Sequence, residues 1–153
     1  MKTLSIIIPT YNESYSILKV LENIKLAKNL DINYEIIIVD DGSTDNTNEI
    51  LEKNKSYFDH LVSYEKNSGK GYAVRMGLEK ATGDYVIIQD ADLEYDPKDY
   101  GKFINVLEKF GADGVIGSRV IYSGYTRAHN FYNKIGNRLI TLLFNIVYNK
   151  TLT

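Results

Sequence analysis

Two aspartates with one small residue between them come directly after an apolar run. Asp90 and Asp92 flank Ala91, and the run before them covers residues 85–89. Extended residues i and i+2 point to the same side, so we expect both carboxylates to face one point, while Ala91 leaves the backbone open to close approach. Oxygen-only ligands favour Mg²⁺ or Mn²⁺ over zinc. The spacing therefore predicts that Asp90 and Asp92 bind one of these two ions.

Two further polar clusters follow apolar runs, at residues 9–13 and 40–43. Ligands of an open α/β sheet bind beyond the carboxyl ends of the strands, so we expect all three clusters to meet at one edge. Mg²⁺ usually shares its ligands between one or two carboxylates and substrate phosphates, which favours a phosphorylated ligand. The structural alternative is that Asp, Gly and Ser after strands only cap helices.

Strands that alternate with helices must position these clusters. Short β-branched runs predict three central strands, buried on both faces, at residues 4–8, 34–39 and 85–89. Helical patterns and weaker strand patterns fill the rest, with helices at residues 15–28, 44–54, 72–80 and 96–110 and strands at 60–64 and 114–117. This alternation predicts an α/β fold with a mostly parallel central sheet.

The composition limits the classes of protein that the chain can represent. With 153 residues, of which 44% are hydrophobic, it can bury one core and is too short for two full-sized domains. The formal charge is −2 and the basic residues are scattered, so we expect no nucleic-acid partner. The absence of cysteine excludes disulfides, Cys-zinc sites and thiol catalysis. No apolar run matches a signal peptide or spans a bilayer, and we expect a cytoplasmic protein.

Other phosphate-binding motifs do not fit the sequence. A dinucleotide fingerprint counted from Gly69 would need glycine at Val74, and Lys70 is followed by Gly71 rather than by the Ser or Thr of a P-loop. A non-enzyme alternative remains, because the aspartate pair at residues 40–41 also resembles the acidic pair of receiver domains, in which a further aspartate accepts phosphate. That alternative leaves the aspartates at residues 90–92 unexplained.

Four blocks of sequence together resemble glycosyltransferase family 2. The blocks are IIIPTYNE (6–13), YEIIIVDDGSTDNT (34–47), NSGKGYAVRMGLEKATGDYVIIQDADLEYDP (67–97) and GVIGSR (114–119). The dolichyl- or polyprenyl-phosphate hexosyltransferase branch is the most similar. The resemblance implies a GT-A fold (nucleotide-diphospho-sugar transferase), a Rossmann-like sandwich with a mostly parallel central sheet, as a single catalytic domain over residues 1–153. It also implies inverting transfer of a hexose from a UDP- or GDP-linked donor.

The resemblance assigns one set of residues to the nucleoside. Pro9, Tyr11 and Glu13 match the start of the nucleotide pocket, with Tyr11 against the base. Asp40 and Asp41 match the acidic pair that contacts base and ribose. The structural alternative for Tyr11 is a tyrosine packed in the core.

A second set is assigned to the diphosphate. Lys70 lies in the loop that approaches the nucleotide, and Asp90 and Asp92, with Ala91 between them, match the DxD motif that holds Mg²⁺ or Mn²⁺ against the donor diphosphate. Arg119 matches an arginine near the phosphates or the acceptor, so that Asp92 and Arg119 are the expected catalytic residues. Lys70 and Arg119 could instead be solvated surface charges.

The acceptor side is less complete in this sequence. The chain ends at Leu152 and Thr153, where the Leu-Thr-Asp motif of the family would continue, so we expect a complete donor-binding half and a missing C-terminal acceptor part. The acceptor implied is a lipid phosphate at a membrane surface, reached through segments absent from this chain. A nucleotide-sugar-binding module without turnover is the second alternative.

The residues that precede this end depart from the lipid-phosphate branch. That branch is expected to carry two arginines and a serine at the acceptor phosphate, whereas this chain has Arg127, His129, Asn130, Lys134 and Arg138. The apolar residues of segment 139–147 could form a helix that packs on the missing part, on another subunit or at a membrane surface, and we expect them to pack in a core. If their partner is absent, the exposed apolar area should promote homo-oligomers.

Overall fold

The computed structural model describes residues 1–27, 32–117 and 131–148. Two compact units divide the chain, Met1–Ala112 and Asp113–Thr153. The strands are β1 (Lys2–Thr10), β2 (Ile32–Asp40), β3 (His60–Ser63) and β4 (Tyr85–Ile88). The helices are α1 (Ile17–Leu26), α2 (Thr47–Lys53), α3 (Lys70–Leu78), α4 (Tyr100–Phe110) and α5 (Phe131–Tyr148), with 3-10 turns at Lys55–Tyr57 and Pro97–Asp99. One catalytic domain over residues 1–153 stays a prediction.

The four described strands form one parallel sheet in the order β3-β2-β1-β4. The strand order reverses at β1, because β2 and β3 extend to one side of it and β4 lies on the other. Ligand crevices of α/β sheets open at such a reversal. The predicted α/β class with a mostly parallel sheet is confirmed, and its carboxyl edge between β1 and β4 is the place where a ligand site is expected.

Both faces of the sheet are covered at β1 and β2, as their continuous apolar runs predict. The same prediction is wrong for β4, which lies at the end of the described strand order, so that Val86 and Ile88 are 44% and 47% exposed. One face carries Leu4, Ile6 and Ile8 of β1 and packs against α1, α2 and α4. The other face carries Ile7, Ile37 and Val39, which pack against α3. At this second face a Cβ on Gly77 of α3 would lie 2.3 Å from Ile7 Cγ2, so only glycine lets the helix approach this closely.

Helix boundaries differ from the sequence prediction where side chains cap the backbone. Helix α2 begins at Thr47 rather than at residue 44, because Asp45 accepts hydrogen bonds from Thr47 N at 3.0 Å and from Thr47 Oγ1 at 2.5 Å. The segment that begins at Asp96 is split into a 3-10 turn and α4, and Asp96 accepts from Lys98 N at 3.0 Å. The strand predicted at residues 114–117 is wrong, because none of the described strands β1–β4 pairs with these residues.

In the second unit, the helix predicted from the apolar residues is present as α5, but their predicted burial is wrong. The helix is 18 residues long, and Leu139, Ile140, Ile146 and Val147 are each more than half exposed. A single helix supplies one layer and cannot bury its own apolar surface. None of the described helices is long and apolar enough to cross a membrane. Self-association through this helix stays a prediction.

Candidate functional site

A cavity of about 360 Å³ lies at the carboxyl edge of the sheet, where the strand order reverses. Four segments line it: the loop after β1, the loop after β2, the N-terminal end of α3 with the residues before it, and the turn after β4. The lining residues are Pro9, Thr10, Tyr11, Glu13, Asp41, Asn67, Gly69, Lys70, Ala73, Asp90, Ala91 and Asp92. The three polar clusters of the sequence therefore meet at one site.

Asp41 joins the loop after β2 to the start of α3. Its carboxylate accepts hydrogen bonds from Ser68 N at 2.9 Å and Gly69 N at 2.6 Å. The two loops are in close contact, because a Cβ on Gly42 would lie 2.7 Å from Asn67 N. Gly42 also has a φ of 76°, in the region that favours glycine. Asp41 thus fixes the wall of the cavity that α3 supplies.

Asp40 is separated from its neighbour in the structure. Its side chain is buried and is absent from the cavity lining. The carboxylate accepts from Ser43 Oγ, and Asn48 Nδ2 donates to it at 2.6 Å. The structure therefore places Asp40 beneath the loop that it supports, while Asp41 reaches the cavity.

The loops after β1 and β2 are held together by a set of contacts that the sequence reasoning missed. Asn12 Oδ1 accepts from Thr44 N at 2.7 Å and from Asp45 N at 3.3 Å, and Asn12 N donates to Ser43 Oγ at 2.9 Å. In return, Ser14 N donates to Asp45 Oδ2 at 3.2 Å. We call these contacts the loop latch. The positive φ of 55° at Asn12 was not predicted, and asparagine in a loop after a strand is the signal that could have indicated it.

The start of α2 and the loop latch together set the electrostatics of Asp45. Burial alone would raise the pKa of this carboxyl, but hydrogen bonds donated by Thr47 and Ser14 outweigh that effect and lower its pKa to about 2. The carboxylate is therefore charged throughout the neutral range and remains an acceptor for both loops.

Tyr11, Pro9 and Glu13 line one side of the cavity, as the sequence predicts for the loop after β1. The ring of Tyr11 is 45% exposed, so it is not a packed core tyrosine. Glu13 N donates to Thr47 Oγ1 at 2.9 Å, and the Glu13 carboxylate accepts from Ser16 Oγ at 2.5 Å. Glu13 consequently connects the cavity to the start of α1.

Asp90 and Asp92 both line the cavity, but the reason given for their common direction is wrong. Strand β4 ends at Ile88, and Ala91 and Asp92 form a turn instead of continuing an extended chain. Asp92 Oδ1 accepts from Glu94 N at 3.0 Å, which closes the turn. A turn therefore brings the two carboxylates to one cavity. The sequence analysis expected an extended strand to do this through the alternation of its side chains.

A buried amide supports this turn from below. Gln89 is 1% exposed, and its N–H donates to Ile7 O at 2.9 Å. Its side-chain Nε2 donates to Asp90 O at 2.9 Å, and Tyr100 Oη donates to Gln89 Oε1 at 2.7 Å. Burial raises the pKa of Tyr100 above its usual range, which keeps this hydroxyl a donor. Gln89 and Tyr100 are therefore positioning residues for the turn, although neither was predicted from the sequence as part of the site.

The Asp90 carboxylate already has a cationic neighbour. Lys70 Nζ lies 2.6 Å from Asp90 Oδ1, and the two side chains are 60% and 18% exposed. Lys70 is the first residue of α3, so its side chain extends from the helix to the turn after β4. The sequence places these residues 20 positions apart, and nothing in their spacing indicates the pair.

The donor set fits a hard divalent cation that takes part of its coordination from a substrate. Asp90 and Asp92, on either side of Ala91, both line the cavity and offer carboxylate oxygens as ligands. Within residues 1–27, 32–117 and 131–148, no group of three or more His, Cys, Asp or Glu side chains could hold a metal ion. Two carboxylates completed by phosphate oxygens and water match Mg²⁺ or Mn²⁺ better than a closed protein cage.

Several predicted residues cannot be placed at this cavity. Arg119 lies outside the described residues, and so do Arg127, His129 and Asn130. Arg138 is exposed on α5, in the second unit. Conversely, Thr10, Asn67, Gly69 and Ala73 line the cavity without having been singled out. All four lie within or beside the sequence blocks at residues 6–13 and 67–97, which is the signal that could have found them.

Sequence comparison relates the chain to a family of transferases. The family described as Glycosyl transferase family 2 matches residues 5–151. The undecaprenyl-phosphate 4-deoxy-4-formamido-L-arabinose transferase of Proteus mirabilis is 35% identical over 143 residues, which are 91% of this chain and 42% of that protein. The dolichol-phosphate mannosyltransferase of Pyrococcus furiosus is 37% identical over 132 residues, 86% of this chain and 37% of that protein. The chain thus spans less than half the length of these relatives.

Solved structures give the same relationship. TarS (residues 1–349) of S. aureus in complex with UDP-GlcNAc has a TM-score of 0.60 and 34% identity, covering 74% of this chain and 33% of that one. The mannosyltransferase PcManGT of Pyrobaculum calidifontis in complex with GDP-Man and Mn²⁺ has a TM-score of 0.54 and 33% identity, covering 63% and 29%. These similarities confirm the predicted GT-A fold.

Proposed function

Because the chain belongs to glycosyltransferase family 2, we propose that its cavity binds a nucleoside-diphosphate hexose and serves inverting transfer of the hexose to an acceptor. One observation carries the proposal: an exposed aromatic ring, a fixed carboxylate, a lysine and two turn aspartates line the same cavity, namely Tyr11, Asp41, Lys70, Asp90 and Asp92. Aromatic stacking suits a base, and the remaining groups suit a ribose and a diphosphate with its counter-cation.

The nucleoside is assigned to the side of the cavity next to β1 and β2. Tyr11 stacks on the base, with Pro9 and Glu13 forming the pocket around it. Asp41 contacts base or ribose with the carboxylate capacity left after its two backbone hydrogen bonds. Asp40 acts as a positioning residue through Ser43, because it is buried away from the cavity.

The diphosphate is assigned to the side next to β4. Asp90 and Asp92 would hold Mg²⁺ or Mn²⁺, and the bound ion would act as a Lewis acid on the diphosphate leaving group. Lys70 adds positive potential where negative charge grows as the glycosidic bond breaks. The sugar becomes oxocarbenium-like as it loses the leaving group, as in other glycosyl transfers, and the acceptor attacks from the opposite face. Arg119 remains a proposed catalytic residue from the GVIGSR block.

A polyprenyl or dolichyl phosphate is the acceptor that we propose. Two relatives carry undecaprenyl-phosphate and dolichol-phosphate in their names. A phosphate acceptor has a second pKa of about 6, by analogy with phosphorylated side chains, so it is nucleophilic near neutral pH and needs no dedicated base. The reaction would take place in the cytoplasm at a membrane surface, where such a lipid presents its phosphate.

A thermal-shift titration tests donor binding. UDP, GDP and their hexose derivatives are added with and without Mn²⁺ or Mg²⁺, and we expect ion-dependent stabilisation by one nucleotide. Asp92→Asn should abolish this response while the protein stays folded. The matched control is Asp99→Asn, which changes a half-exposed aspartate paired with Lys102 and should respond like the wild type.

The outcomes separate the alternatives. A nucleotide response that Asp92→Asn leaves intact would contradict the ion assignment. Stabilisation by magnesium with beryllofluoride, but not by nucleotides, would indicate a receiver-like domain. Binding of a nucleotide sugar without transfer to a short polyprenyl phosphate would favour a binding module.

A further inference from the structure

We propose that the Lys70 ammonium is the resident counter-cation of Asp90 and that it makes divalent-ion binding at the turn depend on the nucleotide. The inference deepens the proposed function and rests on it. In the nucleotide-free protein Lys70 would neutralise Asp90 and oppose a second cation. A bound diphosphate would draw the ammonium to itself and leave Asp90 available to Mg²⁺ or Mn²⁺.

The contact between the two side chains is the first argument. Lys70 Nζ and Asp90 Oδ1 are 2.6 Å apart, a charge-assisted hydrogen bond, and Asp90 is only 18% exposed. Asp92, its partner in ion binding, is itself tied to the turn by Glu94 N. A divalent ion that approaches Asp90 therefore meets a positive charge already placed on the ligand oxygen, and like charges at this separation repel.

The freedom of the lysine is the second argument. Lys70 is 60% exposed, so its flexible stem is not held by packing. A Cβ built on Gly69 or Gly71, the residues on either side, would meet no atom of another segment within 4 Å, so the surroundings at the start of α3 are open. Lys70 can therefore reach Asp90 in one state and a phosphate in the same cavity in another.

The third argument is the charge balance of the cavity. Asp41, Asp90 and Asp92 line it together with one lysine, and Glu13 adds a further carboxylate. A nucleoside diphosphate brings additional negative charge and would be repelled if the cavity held no cation. Lys70 and a divalent ion together can offset that charge, whereas Lys70 alone balances only Asp90. Binding of ion and nucleotide should consequently be mutually favourable, and such coupling is reciprocal.

Direct measurement of Mn²⁺ binding tests the proposal without any transfer assay. Free Mn²⁺ is followed by electron paramagnetic resonance during titration of the wild type, Lys70→Met, Lys70→Arg and Lys80→Met. Lys80 is exposed beyond the end of α3, so its substitution changes the net charge equally away from the cavity. Lys70→Gln serves as a second neutral variant, and circular dichroism checks that each variant is folded.

Without nucleotide, we expect both neutral Lys70 variants to bind Mn²⁺ at least about fivefold more tightly than the wild type, the lower end of typical coupling. Lys70→Arg and Lys80→Met should bind like the wild type. Adding UDP or GDP should tighten Mn²⁺ binding in the wild type by a larger factor than in Lys70→Met.

Equal Mn²⁺ affinities of the wild type and the neutral Lys70 variants, including no binding by either, would overturn the inference. Tightening by Lys80→Met to the same extent would also overturn it, because net charge would then be the cause. Failure of the proposed function looks different: no nucleotide would stabilise the wild type with or without Mn²⁺, while the nucleotide-free titrations would still decide the role of Lys70.

Discussion

Replacing Asn12 tests whether the loop latch holds the nucleoside side of the cavity. Asn12 Oδ1 accepts from the backbone N–H groups of Thr44 and Asp45 at 2.7 Å and 3.3 Å. Its φ of 55° lies in the left-handed region, which glycine adopts freely and alanine does not. Asn12→Gly therefore removes the amide and keeps the backbone shape, while Asn12→Ala removes the amide and strains the backbone as well.

The expected loss in the free energy of unfolding has two contributions, the hydrogen bonds to Asn12 and the backbone conformation at this position. A typical hydrogen bond contributes about 0.5–1.5 kcal/mol net, and the exposed position of Asn12 lets water replace part of that, so the two contacts together are worth about 1–2 kcal/mol. A left-handed conformation costs a residue with a Cβ about 1–2 kcal/mol more. We expect Asn12→Gly to lower the free energy of unfolding by about 1–2 kcal/mol and Asn12→Ala by about 1–2 kcal/mol beyond that.

Urea unfolding at neutral pH measures both variants, and the nucleotide thermal shift measures the cavity. Because Tyr11 precedes Asn12, loosening the latch should also reduce nucleotide affinity several-fold in the variants that remain folded. If the Asn12→Gly variant had the same urea midpoint and the same nucleotide affinity as the wild type, the proposed role of the loop latch would be refuted. Equal stability of the Gly and Ala variants would refute the argument from backbone conformation.

Two further predictions concern the support of the sheet and the loops. Burial alone would raise the pKa of Glu35, but hydrogen bonds donated by Ser5 and Thr82 outweigh burial and lower it. The contribution of Glu35 to stability is therefore present above the unfolded pKa of about 4.3 and is lost as the pH falls through the folded pKa. Glu35→Gln should therefore destabilise the protein at pH 7 and show a smaller loss of stability on acidification, measured as urea midpoints at pH 7 and in the acidic range; parallel pH profiles would contradict this. Gly42→Ala should lower the free energy of unfolding by at least about 1–2 kcal/mol, because Gly42 has a φ of 76° and a Cβ there would lie 2.7 Å from a backbone nitrogen. The control Gly101→Ala in α4 has free space and should be neutral or stabilising by up to about 1 kcal/mol. Similar effects of the two substitutions would contradict the steric argument.

The sheet and the edge that carries the site were predictable from local patterns. The continuous β-branched run at residues 36–39 leaves no solvent-facing side, so burial of this part of β2 on both faces follows, and parallel strands bring their carboxyl ends to one edge. The run at residues 85–88 looks the same in sequence, but its place at the end of the described strand order leaves one side exposed. The weaker pattern at residues 114–117 failed, since a short run becomes a strand only where a neighbour supplies hydrogen bonds. Successive side chains of an extended chain point to opposite sides. This alternation at the end of β2 could have predicted that Asp41 reaches the cavity while Asp40 points away from it.

The pairings across the cavity depended on the tertiary structure. Lys70 and Asp90 are 20 residues apart, and Asn12 and Thr44 are 32 residues apart, so each contact exists only because the sheet brings separate loops to one edge. A turn, not an extended strand, carries Asp92 to the cavity. By itself the sequence determined which residue types are available at this edge, since local periodicity sets strands and helices. Only the tertiary structure decided which charges neutralise one another, because hydrogen bonds and ion pairs require distances of a few ångströms that no spacing along the chain specifies.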